Sequence, residues 1–360
     1  MKFNKEVLKF KIAVTSGCCL RCTHCFIDKS RTETIPLKDA LRAVYAFLAS
    51  PGMMKTLELY GGEPLMEFGL VKEIITAARA RVKKLGKRLA VSVASNGVLA
   101  GPEQLGWLAE RGVRFAVSFS GSGRSHDLSR KFISGKGSHA AVAGRIPLFI
   151  STMGENLHVI LCVHPRRAGA AYTDFLRLVK LGFTNIGIEC VHGFPWKLAD
   201  YAAFEAGMRK MAGFTLARAA AGKPVVLEPL LEFFRDKEYS DAFCPFLRDL
   251  ELFPDGTLSF YPYPFLRTGA QRKAAAIGTA RDGLIERFRD CRPVAGSRSC
   301  AACVGAYYRL PGMADGSRAH ALRTAVCLEA ARELIARSAS EPAMKAYLKR
   351  LIGLFKKGYI

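Results

Sequence analysis

The sequence predicts an α/β fold: six βα units followed by a smaller α+β segment. Three observations carry this. Short apolar, β-branched runs alternate with longer amphipathic segments from residue 8 to about 191. The rhythm changes after Gly193-Phe194-Pro195-Trp196, and a Pro254-Asp255-Gly256 turn then separates two alternating runs within residues 250–261.

Taken in order, the predicted strands are 10–15, 56–60, 90–94, 114–119, 157–163 and 185–191, each a short run bounded by turn residues. Between them the 3.6-residue period predicts helices at 37–49, 69–84, 102–111, 138–153 and 169–181. Six units are too few for a closed eight-stranded barrel, so a six-unit partial barrel or an open sheet is expected, with chemistry at the C-terminal ends of the strands. Beyond residue 196 the pattern predicts helices at 198–221 and 227–236, the hairpin, and two basic helices within 318–360 carrying nine Lys or Arg against three Glu.

The 360 residues hold 54 Lys or Arg against 31 Asp or Glu, a net charge of +23. Half are hydrophobic, which excludes disordered, collagen-like and coiled-coil classes. No run is apolar for bilayer-spanning length and no export signal is read, so a cytoplasmic protein with eleven reduced cysteines is expected, and no membrane partner. In that setting closely spaced cysteines point to metal ligation or catalysis.

Directly after the first predicted strand, Cys18, Cys22 and Cys25 are spaced CxxxCxxC. Three thiolates on a tight loop can hold three irons of a 4Fe-4S cube and leave the fourth open to a substrate or cofactor. Zinc is the rival reading, but it usually closes with pairs of ligands from two loops, and no second pair lies nearby. Cys19 and His24 fall off the spacing and are expected to pack or support. Tyr60-Gly61-Gly62-Glu63-Pro64 ends the second strand, where two glycines permit close backbone approach and a carboxylate can pair with a cationic amine.

This spacing, in this order, resembles the radical S-adenosylmethionine superfamily. The resemblance implies a partial (β/α)6 barrel, a first cluster on Cys18, Cys22 and Cys25, and S-adenosylmethionine on its open iron. Gly61, Gly62, Glu63 and Pro64 resemble the family's GGEP motif, which contacts the methionyl ammonium. Ser95-Asn96-Gly97 resembles the segment lying against the cofactor's ribose; its other reading is a strand-ending turn. Ser118 to Arg130 resembles the "SLDG…HDxxR" region of peptide-modifying members, with Ser118 bonding the cofactor, Arg130 anchoring the loop or a carboxylate, and Ser120 standing where Asp is usual.

The chain beyond residue 195 resembles the SPASM and twitch extensions that carry auxiliary clusters. Cys244, an eleven-residue spacer and Gly256 follow that pattern, but Tyr263 and Pro264 stand where a Cys and an Asp would follow. At most one auxiliary 4Fe-4S cluster is then thiolate-ligated, by Cys300 and Cys303 with Cys244 and Cys327, and with Cys291 as alternate; a zinc ribbon or structural thiols is the competing reading. Anaerobic sulfatase-maturing enzymes are similar but carry two auxiliary clusters and an Asp base, so their activity is not carried over.

The expected organisation is a core domain over 1–195 and a SPASM/twitch-like auxiliary-cluster domain over 196–360. The expected activity is that of a radical S-adenosylmethionine oxidoreductase. It forms a 5′-deoxyadenosyl radical and abstracts hydrogen from a peptide, leading to oxidation, a crosslink or epimerisation. The expected partners are a peptide with an acidic leader, drawn by the positive charge, and a one-electron donor such as flavodoxin or ferredoxin. The alternative is a small-molecule, sugar-like dehydrogenase. RNA modification and an iron-sulfur electron carrier rank lower, the former because no RNA-binding module is present, the latter because it needs no Gly61–Pro64 motif.

Overall fold

In the computed structural model, residues 3, 6–27, 29, 32–231, 233, 249–260, 276–284 and 314–358 are described. They fall into two compact units, one within Met1–Phe115 and Cys244–Pro311, the other within Ala116–Phe243 and Gly312–Ile360.

The first unit holds strands β1 (Lys9–Thr15), β2 (Met54–Gly61) and β3 (Arg88–Ser95), with helices α1 (Leu37–Ala49), α2 (Phe68–Lys84) and α3 (Pro102–Glu110). β1 pairs parallel with β2, and β2 with β3. Side chains alternate across β1: Phe10 stacks on Phe47 of α1 with ring centroids 5.2 Å apart, while Lys9 and Lys11 take the opposite face. Ala40, Ala43, Val44 and Phe47 make the buried stripe of α1 at helical spacing. Lys55 is fully buried yet satisfied, its ammonium donating to Val7 O, Ser50 Oγ and Pro51 O at 2.7, 2.7 and 2.6 Å.

The predicted hairpin forms as β8 (Asp249–Leu252) and β9 (Thr257–Phe260) around Gly256, whose φ of 81° suits glycine. It joins the first unit's sheet: β8 runs parallel to β1 in the register Lys11↔Glu251, and the short strands β10 (Gly278–Thr279) and β11 (Gly283–Leu284) continue outward.

The second unit orders β4 (Arg114–Ser118, entered from the first unit), β5 (Leu157–Val163), β6 (Asn185–Cys190) and β7 (Val226–Leu227). Its helices are α4 (Gly123–Ser129), α5 (His139–Ala143), α6 (Ile146–Met153), α7 (Ala171–Lys180), α8 (Leu198–Ala220), α9 (Ala314–Arg337) and α10 (Pro342–Lys356). Buried Arg323 of α9 donates to Ile188 O on β6, and Tyr347 of α10 donates to Val225 O at 2.8 Å. Parallel strands separated by helices are as expected for the α/β class.

Two expected elements differ. The helix predicted over 138–153 is two helices, α5 and α6, because Pro147 in the first turn of α6 supplies no N–H to the preceding turn. The helix predicted from residue 227 begins instead as β7, where Leu227 pairs with Ile186, and continues as a 3₁₀ turn at Glu228–Leu231; Val225 and Val226 favour the strand.

Candidate functional site

The loop after β1 is tied at its base. Ser16 N donates to Glu33 O and Glu33 N to Ser16 Oγ, both at 2.8 Å, and Ile35 N reaches Val14 O at 3.0 Å. Between these ties lie Cys18, Cys22 and Cys25, each partly exposed, with Cys25 N turned back onto Cys22 O at 3.1 Å. Cys18 Sγ accepts from Leu20 N at 3.4 Å and from Asn96 Nδ2 at 3.6 Å; the same amide reaches Cys19 Sγ at 3.4 Å. The hydrogen bond from Cys19 pulls the Cys18 thiol down to about 5 against its burial, with Lys29, Leu20 and Asn96 adding to the effect. Cys19 is pushed up in turn, by that hydrogen bond and by burial. Cys19 thus acts on Cys18 through this hydrogen bond.

The end of β2 is pressed against this loop. Gly62 N donates to Thr15 O at 2.7 Å and Glu63 N to Gly17 O at 2.8 Å. A Cβ on Gly62 would lie 2.0 Å from Gly17 O, and one on Gly61, whose φ is 133°, 2.5 Å from Thr15 O. The glycines thus serve the approach of one backbone to another. Glu63, fully buried, accepts at Oε1 from Leu65 N (3.1 Å) and Ser95 Oγ (2.8 Å), and at Oε2 from Asn96 N (2.8 Å). Burial outweighs these donors and raises its carboxyl to about 7. Pro64 opens the 3₁₀ turn that follows.

At Ser95-Asn96-Gly97 the strand-ending turn is present. Ser95 Oγ accepts from Gly97 N at 3.0 Å and Asn96 Oδ1 from Val98 N at 2.9 Å, a strand-ending turn, while the same two residues link Glu63 to the cysteine loop.

In the second unit, Ser118 ends β4 and is half-buried. Arg130, buried at the end of α4, donates through Nη2 to Cys162 Sγ at 3.1 Å. His126, Asp127 and Ser138 knit the segment together: His126 Nε2 lies 3.0 Å from Ser138 Oγ, Ser138 Oγ donates to Arg130 O at 3.0 Å, and Asp127 Oδ1 accepts from His139 N at 2.8 Å. Cys327 is buried on α9. Cys244, Cys291, Cys300 and Cys303, and the Tyr261 to Phe265 stretch, lie outside the described residues.

Among the described residues no three His, Cys, Asp or Glu side chains converge as metal ligands, so the three thiols share a loop without meeting at a point. The donor set nonetheless suits a cluster: three accessible thiols on one tied loop, one of them already disposed to be a thiolate. Beside Cys25, the buried Tyr60 hydroxyl has no hydrogen-bond partner among the described residues. A group bound against this loop would supply one.

One part of the site is not legible as a motif. Glu58 Oε2 pairs with Lys9 at 3.2 Å and Oε1 with Lys11 at 3.3 Å; burial pushes this carboxyl up, but Lys11 and Lys9 prevail and hold it at about 2. Glu251 of β8 lies beside them, buried, with its carboxyl raised well above the usual range by desolvation. Farther along that face Ala13, Tyr60, Phe253 and Ile27 pack together beneath Cys25 and Phe26. The period-two charges of β1 are visible in the sequence, but the β8 partner is not.

The sequence profile of the Radical SAM superfamily matches residues 12–163, from within β1 to the end of β5. Residues 12–163 are a radical SAM domain. Such a domain implies a 4Fe-4S cluster and S-adenosylmethionine. Over 114 residues the chain is 35% identical to the GTP 3′,8-cyclase of Chlorobaculum tepidum, an alignment covering 31% of this chain and 32% of that one. It is 29% identical over 120 residues to the GTP 3′,8-cyclase of Clostridium perfringens, covering 31% and 34%. The chain thus spans about a third of the length of these curated relatives. The solved structure of native anSMEcpe with bound AdoMet and Cp18Cys peptide is similar in fold, with a TM-score of 0.65 at 18% identity over 79% of this chain and 80% of that one. Streptococcus suis SuiB bound to S-adenosylmethionine gives 0.51 at 11% identity, over 83% and 69%. Among the described residues no helix is long and apolar enough to cross a membrane.

Proposed function

We propose that Cys18, Cys22 and Cys25 ligate the first 4Fe-4S cluster and that Gly61, Gly62, Glu63, Pro64, Ser95, Asn96, Ser118 and Arg130 form the S-adenosylmethionine site. The observation that carries this reading is the tied loop of three accessible thiols, with the Gly61–Glu63 backbone hydrogen-bonded to its base. Cys18, Cys22 and Cys25 would hold the cluster and the Gly61–Pro64 segment the S-adenosylmethionine, and the two groups, when bound, would supply one-electron hydrogen-abstraction chemistry. The chain's own residues hold and orient. The Glu63 carboxylate, occupied by Leu65, Ser95 and Asn96, fixes the relation of the β2 and β3 ends, and so acts on a bound ammonium chiefly through its charge and its neighbours.

The substrate in this reading is a peptide, modified by oxidation, crosslinking or epimerisation. In this reading an auxiliary cluster beyond residue 195 is ligated by Cys300 and Cys303 with Cys244 and Cys327, or with Cys291 in place of one of them. A flavodoxin or ferredoxin supplies the electron in the cytoplasm. Support comes from the fold likeness to anSMEcpe, solved with a peptide. A second reading, a small-molecule substrate, is favoured by the likeness to GTP 3′,8-cyclases over residues of the domain.

The test is anaerobic conversion of S-adenosylmethionine to 5′-deoxyadenosine with dithionite as reductant. Wild type forms it and Cys22→Ala does not; equal formation by both would overturn the ligand assignment. Stimulation by acidic-leader peptides supports the peptide reading, and stimulation by GTP or sugar phosphates alone supports the second.

A further inference from the structure

Within the second unit, a cavity of about 430 Å³ opens beside α7, lined by Ser122, Arg166, Arg167, Thr173, Asp174 and Arg177 among others. The segment after β4 contributes Ser122 and the segment after β5 contributes Arg166 and Arg167, so the cavity lies at the C-terminal ends of parallel strands, where α/β sheets bind ligands. Its charge is not neutralised from within. Asp174, its one acidic lining residue, is buried and committed, accepting from Ser122 N at 3.0 Å and from Ser125 Oγ. Gly121 makes this possible: its φ of 72° and the 2.7 Å separation of a would-be Cβ from Asp174 O show the loop pressed onto α7.

The arginines face a different situation. Arg167, which lines the cavity, is oriented by a hydrogen bond from Nε to Ser125 Oγ at 3.0 Å, and among the described residues its guanidinium makes no ion pair. Among the described residues Arg166 and Arg177 have no ion pair, and both are exposed. Three guanidiniums therefore line one cavity against a single carboxylate already in use. Guanidinium forks match carboxylate and phosphate oxygens in pairs, and such charge-assisted bonds are the strong ones.

We infer that this cavity is an oxyanion site, taking a carboxylate or phosphate group of a ligand through Arg166, Arg167 and Arg177, with Thr173 as an added hydroxyl donor. The inference does not depend on which substrate the radical SAM domain acts upon. The +23 charge of the chain attracts anions everywhere, so the test must separate a site from a surface.

The experiment is calorimetric titration of the full chain with inorganic phosphate and, separately, with hexaglutamate, in about 0.15 M salt to screen diffuse attraction. Three proteins are compared: wild type, Arg166→Ala/Arg177→Ala, and Lys345→Ala/Lys349→Ala. The lysine pair lies exposed on α10 and removes the same charge away from the cavity. The expected result is saturable binding of at least one probe, weakened roughly tenfold or more by the arginine changes and less than about twofold by the lysine changes. Tighter phosphate binding identifies a phosphorylated ligand, and tighter hexaglutamate binding an acidic peptide. Saturation by neither probe, or equal weakening by the two variants, overturns the site.

Discussion

Ser95 Oγ donates a 2.8 Å hydrogen bond to Glu63 Oε1, joining the end of β3 to the turn after β2 through a fully buried carboxyl. Asn96 adds a backbone donor to the same carboxyl and a side-chain donor to the Cys18 and Cys19 sulfurs. Three separate motifs of the sequence are thus one hydrogen-bonded unit.

The first prediction concerns pH. Glu63 ionises near 4.5 when unfolded and near 7 when folded, because burial favours its neutral form. Between those values the folded state holds a proton that the unfolded state has lost, so this group's contribution to stability falls as pH rises through the window. The loss is complete above about 7 and amounts to about 3 kcal/mol. Denaturant titrations of cluster-free wild type and Glu63→Gln should diverge by that amount across the window, wild type losing relative stability as pH rises. Parallel profiles would refute it.

A second prediction follows from the glycines. Gly62→Ala places a methyl 2.0 Å from Gly17 O and must displace the base of the cysteine loop, costing about 1–3 kcal/mol and the capacity to bind S-adenosylmethionine. Gly106→Ala, in α3 with no heavy atom within 4 Å of the new methyl, should instead stabilise by about 0.5–1 kcal/mol. Urea midpoints of the two variants, together with equilibrium dialysis of S-adenosylmethionine, decide it; a Gly62→Ala protein as stable as wild type would contradict the close approach.

A third concerns thiol reactivity. In cluster-free protein, alkylation of Cys18, followed by peptide mass spectrometry, should reach half its limiting rate near pH 5. Cys19→Ala removes the largest stabilising donor and should move that midpoint upward by more than Asn96→Ala does. A midpoint near 9 in wild type would show that the loop does not activate this thiol.

Legibility varied with the range of the interaction. The short apolar, β-branched runs marked strands because such side chains suit a half-buried pleated surface. Cysteine spacing and Gly-Gly-Glu-Pro were readable because they are local. The break between α5 and α6 turned on Pro147, whose missing N–H outweighed an otherwise continuous apolar pattern. The parallel pairing of β8 with β1 was not readable, since it joins residues far apart in sequence, and with it went the Lys11, Glu58 and Glu251 group. That Glu63 is satisfied by protein donors was hidden for the same reason: Ser95 and Asn96 reach it only once β2 and β3 lie side by side.

The most direct test is iron and acid-labile sulfide content, with electron paramagnetic resonance, on anaerobically reconstituted wild type and a Cys18→Ala/Cys22→Ala/Cys25→Ala variant. The expected result is a loss of about four irons in the variant, from about eight to about four when an auxiliary cluster is present, or from about four to none when it is not. Equal iron in the two proteins would contradict ligation by this loop.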